Sequence, residues 1–312
     1  MRILNKQTSF RFMAHRKVTV VLSTVLLLVS LGSLAVRGLE FGIDFTGGTL
    51  IEVGYPQAAD LPAIRGALQE AGFHGALVQH FGTSQDVLVR IAPRADVEKA
   101  ELSTQVLRAL NRASDTELEL RRVEFVGPQV GDELTEQGGL AMLIALAGIL
   151  VYVSFRFQWK YALGAVGALF HDVLITIGFF SVFGLEFDLT VLAAILAVIG
   201  YSLNDTSVVF DRIRENFPKF RKGNPVEIVD ASLNQTLSRT LMTSLTTLLV
   251  LIALFIFGGE LIHAFATALI VGVIIGTYSS VYVASSTALS LGVSKADFMP
   301  VPKEGAEADA RP

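Results

Sequence analysis

About 20 consecutive apolar residues are enough to cross the hydrocarbon core of a bilayer as a helix, and this chain has six stretches of that kind. Val18–Val36 is an uncharged run of 19. Gly139–Phe155, Tyr161–Phe183, Leu189–Phe210, Arg239–Phe257 and a run from Ala264 to about Leu291 follow. Charged residues make up 17% of the chain, against about 25% in an ordinary soluble domain, and the mean hydropathy is +0.55. The fold class this predicts is an α-helical polytopic membrane protein. A short basic segment before the first run also fits a secretory signal. However, the run is long enough to span, and no clean small-x-small cleavage pattern follows it.

Residues 37–138 break the pattern, with charges throughout. Thr49–Val53, Ala76–Phe81, Val87–Ile91 and Glu117–Val126 read as strands, and Leu61–Ala71 and Asp96–Arg112 as helices. The order β-α-β-β-α-β predicts a small ferredoxin-like α+β domain. In FGIDFTGG, Gly42, Gly47 and Gly48 read as a tight entry turn with Asp44 capping it. Gly127-Pro128 and VGDELTEQGG read as a polar bridge into the second span.

Lysine and arginine placement orients the spans. They occupy the N-tail (Arg2, Lys6, Arg11, Arg16, Lys17), the 2–3 connection (Arg156, Lys160) and the 4–5 connection (Arg212 to Lys222). The 3–4 and 5–6 connections have none. Six spans therefore place both termini in the cytoplasm and residues 37–138 outside. The expected divisions are a tail 1–17, span 18–36, the outer domain 37–138, and a bundle 139–292 with a charged cytoplasmic loop 211–238 that carries an amphipathic helix in its second half. A polar cytoplasmic tail 293–312 ends the chain.

Several chemistries are excluded. The chain has no cysteine, and its five histidines show no zinc spacing. No phosphate-binding loop of the form GxxxxGK[ST] is present. A net charge of −4 argues against nucleic acid as a partner. The chain reads as a non-enzyme with no catalytic residue, metal or organic cofactor.

The ionisable residues inside the spans carry the functional reading. A charged side chain at the centre of a membrane helix costs about 2.5 kcal/mol or more, and it marks a candidate ion pathway. Asp205 lies in LTVLAAILAVIGYSLNDTSVVFDRIRE, roughly 10 Å inside the charged edge of span 4. Arg239 opens span 5 from the same side, so the two can face each other. Two readings stand: a switching pair in a proton path, or a static pair with Arg239 as an interfacial anchor. Asp172, about 16 Å into span 3, is either a relay acid or a carboxyl hydrogen-bonded to a neighbouring hydroxyl. His171 beside it reads as packing or relay. Asn204, Thr206, Thr240, Thr243 and Ser244 are candidate supporting polar groups, able to hold water or to pack helices closely. Gly272, Gly276, Ser279 and Ser280 form a small-residue stripe in span 6, and Gly272 and Gly276 have the GxxxG spacing of a tight helix interface.

FGIDFTGG, VGPQVGDEL, FHDV, GYSLNDTSVVFDRIREN and LSRTLMTSLTT occur in this order. Together they resemble the SecF branch of the SecD/SecF family, in the RND transporter superfamily. The resemblance implies a subunit that works with SecD beside the SecYEG channel of the inner membrane, with YajC and YidC as further candidate partners. It implies contact with the translocating preprotein and membrane lipid, and the use of the proton motive force late in export. The family's intramembrane acid and arginine fall on Asp205 and Arg239. The resemblance also implies that SecD supplies another acid and the large substrate-capturing domain. The coupling ion it implies is H⁺, and a carboxylate among hydroxyls also suits Na⁺. A non-transporting scaffold of the channel and an RND-type exporter of small molecules or lipids are the competing functions.

Overall fold

In a computed structural model describing residues 8–93, 99–114, 117–220, 224–294 and 297, the apolar runs become six helices long enough to cross a membrane. They are α1 (Arg16–Val36) and, after the sheet domain, α5 (Pro128–Arg156), α6 (Trp159–Phe183), α7 (Leu189–Lys219) and α8 (Pro225–Phe257). The sixth begins as α9 (Glu260–Ser279), passes through a π-helical turn (Ser280–Ala284) and ends as α10 (Ser285–Ser290). A helix satisfies its own backbone groups, which hydrocarbon cannot do.

Glycine sets how closely the helices approach. A Cβ on Gly272 of α9 would lie 2.1 Å from Val198 Cγ2 of α7, and one on Gly276 would lie 3.1 Å from Ser202 Cβ. A Cβ on Gly178 of α6 would overlap Ser30 of α1, at 2.2 Å. The GxxxG pair thus brings α9 onto α7, and α7 also packs against α6 and α8.

Between α1 and α5 lie β1 (Glu40–Phe41), α2 (Ile43–Thr46), β2 (Gly48–Gly54), α3 (Leu61–Glu70), β3 (Leu77–Phe81), β4 (Thr83–Ile91), α4 (Lys99–Ala113) and β5 (Glu119–Val126). The sheet is antiparallel, in the order β3-β4-β2-β5. This is the ferredoxin-like arrangement. Strand alternation sends Ile51, Val53, Val87 and Val89 into a core with Ile64 and Leu68 of α3 and Val106 and Leu110 of α4. Leu50 and Leu88 point the opposite way and cluster with Ile43.

Several local expectations change. VGDELTEQGG is not a bridge: α5 starts at Pro128, so one helix runs from the end of β5 into the bundle. Pro128 at the first position suits a helix start, since its missing N–H has no intrahelical acceptor there. The second half of the 211–238 segment is helical as expected, with α8 starting at Pro225 behind an Asn224–Glu227 capping box, and its first part is helix as well, because α7 continues to Lys219. Asp44 does not cap its own turn; its Oδ2 accepts from Leu189 N at 3.1 Å, at the start of α7. Gly47 and Gly48 have φ of +66° and +127°, and a Cβ on Gly48 would sit 2.6 Å from Ile91 O.

Two contacts had no counterpart in the sequence reading. β1 pairs in parallel with β6 (Glu186–Phe187), joining the segment after α1 to the α6–α7 connection. The N-tail docks on α8: Met13 N donates to Asp230 Oδ1 at 2.9 Å, and Asn234 exchanges hydrogen bonds with the Phe10 backbone. Residues 1–7 and 298–312 lie outside the described residues, as does the start of the helix expected from Asp96.

Overpacking a tight contact costs about 1–3 kcal/mol. Gly272→Ala is expected to lower the midpoint of thermal unfolding in detergent, with Val198→Ala recovering most of the loss. An unchanged midpoint would show that α9 does not pack this closely on α7.

Candidate functional site

The site is built on α7, whose inward face carries Ser202, Asp205 and Thr206 among apolar residues. Asp205 is 5% exposed. Its Oδ1 accepts from Thr240 Oγ1 of α8 at 2.9 Å. Its Oδ2 is buried and has no hydrogen-bond partner among the described residues. A buried oxygen left without a donor carries a desolvation penalty, which a proton or a donor at this atom would relieve.

The close Asp205–Arg239 pair is not formed. Arg239 is exposed and makes none of the ion pairs found among the described residues. Its side chain lines a groove of about 400 Å³ with Asn204, Ser207, Asp211, Gln235 and Thr236. Arg239 directly precedes Thr240, so consecutive residues of α8 point to the groove and to the buried acid, and the guanidinium remains within electrostatic range of Asp205. Leaving the guanidinium exposed avoids the desolvation that burying it in a pair would cost.

The supporting residues separate into groups. Thr240 binds the acid directly. Thr206 Oγ1 lies 2.9 Å from Ser280 Oγ of the π-turn. Ser244 lies 2.7 Å from Thr277 Oγ1 and accepts from Tyr201 OH at 3.2 Å. Thr243 donates to carbonyls of its own helix, and Asn204 is exposed at the groove.

Asp172 forms a second centre, 1% exposed. Ser202 of α7 and Ser279 of α9 donate to its Oδ2 at 2.5 and 2.7 Å. His171 Nδ1 lies 2.9 Å from its Oδ1, and His171 Nε2 lies 3.1 Å from Ser23 Oγ of α1. The two acids do not touch. Ser280 lies between them, bonded to Thr206 and to the Ser202 carbonyl at 3.4 Å. Ser23, Ser202 and Tyr278 were missed from sequence, and Ser279 and Ser280 were read only as part of a packing stripe, because single hydroxyls in apolar helices also serve as packing residues. The visible signal was the His-Asp pair itself, standing in an otherwise uncharged run. Among the described residues no group of three or more acids and histidines could hold a metal ion.

An acidic seam lies at the β1–β6 junction, beyond the ends of α6 and α7. Burial pushes the Glu186 carboxyl up. Arg90, 4.0 Å away, pulls it back, while Asp188, Asp44 and Glu40 push it further up.

These features define a class: a six-helix membrane protein with acids inside the bundle and one ferredoxin-like domain between its first two spans. The profile described as protein export membrane protein SecD/SecF, C-terminal, matches residues 106–294. The SecD/SecF GG motif matches residues 32–59, which include Gly47 and Gly48. The chain belongs to the SecD/SecF family. Among similar proteins, the protein translocase subunit SecF of Vibrio alginolyticus is 55% identical over 100% of this chain and 99% of its own length. That of Pseudomonas aeruginosa is 51% identical over 97% of this chain and 98% of its own. The crystal structure of SecDF from Thermus thermophilus, a translocon-associated membrane protein, matches with a TM-score of 0.83 at 37% identity. That match covers 93% of this chain and 39% of the SecDF chain, so this chain spans about two-fifths of SecDF. SecDF in a super-membrane-facing form matches with a TM-score of 0.67 at 38% identity, over 92% of this chain and 39% of the other.

A carboxyl raised in the fold adds stability at low pH, and that stability is lost as pH rises through the folded value. Glu186→Gln is expected to raise the unfolding midpoint at neutral pH and to leave it unchanged in acid, below the ordinary carboxylate range. A midpoint lowered at neutral pH and unchanged in acid would show that pairing with Arg90 outweighs burial.

Proposed function

We propose that this chain is the SecF-type subunit of the Sec preprotein translocase, and that with a SecD partner it uses the proton motive force to promote late export across the inner membrane. Full-length similarity to SecF subunits supports the translocation role, and the match to part of SecDF supports the SecD partnership. The basic residues of the N-tail and of the 2–3 and 4–5 connections support cytoplasmic termini and a periplasmic sheet domain. SecYEG, the preprotein, YajC and YidC come in through the same family reading, and H⁺ is the coupling ion in preference to Na⁺.

The observation that carries the proposal is Asp205 Oδ2, buried without a donor, beside a helix that presents Arg239 to a polar groove one residue earlier. An oxygen in this state can take either a proton or the guanidinium. Exchange between the two moves charge inside the bundle. One charge crossing the full membrane is worth about 2.3 kcal/mol per 100 mV. The closer match to one SecDF structure than to the super-membrane-facing form fits parts that adopt more than one arrangement. α5, continuous from sheet to bundle, and Asp44 at the head of α7 supply mechanical links between the parts.

Asp205→Asn preserves shape and removes the titratable group. In inverted vesicles with an imposed proton or sodium gradient, the variant is expected to co-purify with SecD yet export preprotein no faster than without a gradient. The parent is expected to respond to the proton gradient alone. Normal gradient-dependent export by the variant would instead support the scaffold.

A further inference from the structure

We propose that His171 and Asp172 form a second proton-binding site, separate from Asp205, which holds one proton between His171 Nδ1 and Asp172 Oδ1 and whose occupancy ties α1 to α6 and α9. The inference rests on the hydrogen bonds alone, and it stands whether or not Asp205 couples export to an ion gradient.

One buried chain of hydrogen bonds fixes where the protons lie. It ends at the carbonyl oxygen of Thr19, which only accepts. Tyr278 OH lies 2.8 Å from that oxygen, so its single proton is committed there. Ser23 Oγ lies 3.0 Å from Tyr278 OH. With the tyrosine proton spent, Ser23 must be the donor in that contact. Its proton is then unavailable to His171 Nε2, 3.1 Å away, so Nε2 carries a proton and donates to Ser23.

At the other end, Asp172 Oδ2 already accepts from Ser202 and Ser279, and Oδ1 lies 2.9 Å from His171 Nδ1. Two nearby atoms with lone pairs need a proton between them. That proton sits either on Nδ1, giving imidazolium and carboxylate, or on Oδ1, giving neutral imidazole and carboxylic acid. Both arrangements satisfy every contact of the chain, and both leave the pair neutral overall.

Without that proton, one bond fails. If Nε2 keeps its hydrogen, Nδ1 and Oδ1 face each other with lone pairs only. If the imidazole changes tautomer to keep the Asp172 bond, Nε2 must accept a hydrogen bond from the Ser23 hydroxyl, and the Ser23–Tyr278 bond between α1 and α9 is lost. Asp172 on its own helix, Ser23 on α1 and Tyr278 on α9 face the imidazole, while α7 and α9 face the carboxylate through Ser202 and Ser279. No lysine or arginine among the described residues pairs with Asp172.

The test is nitrogen NMR of the full chain in lipid with ¹⁵N-labelled histidine, His171 being assigned by its loss in His171→Gln. The expected parent spectrum shows a protonated Nε2. Ser23→Ala removes the acceptor and is expected to lose that signal in favour of Nδ1–H, while Ser23→Thr retains it. Asp205→Asn is expected to leave the His171 signal unchanged, so this result and the export result can fail independently. A parent with hydrogen on Nδ1 alone and a bare Nε2 would overturn the proposal, as would a His171 signal that follows Asp205→Asn.

Discussion

Solvating an acid without water is the constraint on which the bundle depends. Two carboxylates lie inside a helical bundle whose outer surface is apolar, and protein hydroxyls must replace their hydration. Asp172 gets that replacement in full, from Ser202, Ser279 and His171. Asp205 gets half of it, from Thr240. This difference separates a tied centre from an open one. It in turn depends on backbone approach. Ser202 reaches Asp172 while α9 sits on α7, and α9 fits there because Gly272 and Gly276 have no side chain. The π-turn directly after Ser279 shifts the helix register there and presents Ser280 to Thr206. Such turns are frequent where a helix serves a function rather than packing alone.

The sheet domain is attached to this interior at several points rather than by a free tether. Gly131 of α5 comes so close to the 45–47 turn that a Cβ there would lie 2.9 Å from Gly47 N. Asp44 receives the Leu189 N–H at the head of α7, the same helix that carries Asp205. β1 and β6 join the base of the domain to the α6–α7 connection. Displacement of α7 relative to α5 therefore has direct routes to the sheet.

The large features were legible in sequence because their signals are long. Apolar runs set by bilayer thickness, and strands alternating with helical segments, survive local exceptions. Boundaries were less legible. VGDELTEQGG is polar yet helical, because a helix end leaving the bilayer keeps its own hydrogen bonds and needs no apolar surface. The β1–β6 pair is two residues long on each side and depends on a partner 146 positions away, so no local pattern announces it. Asp205, Thr240 and Asp172 stood out as polar groups where polarity is costly. The distance between Asp205 and Arg239 did not, because depth along two helices says nothing about which way a long side chain turns. The serines that complete the Asp172 centre were equally silent, since serine serves packing and hydrogen bonding alike.

The central claim is that Asp205 takes and releases a proton within the bundle. Infrared difference spectroscopy of the chain with its SecD partner in lipid, stepped between alkaline and acidic pH, tests it most directly. A carboxylic-acid carbonyl band that grows on acidification and disappears in Asp205→Asn is the predicted result. A difference spectrum identical in parent and Asp205→Asn would contradict the account.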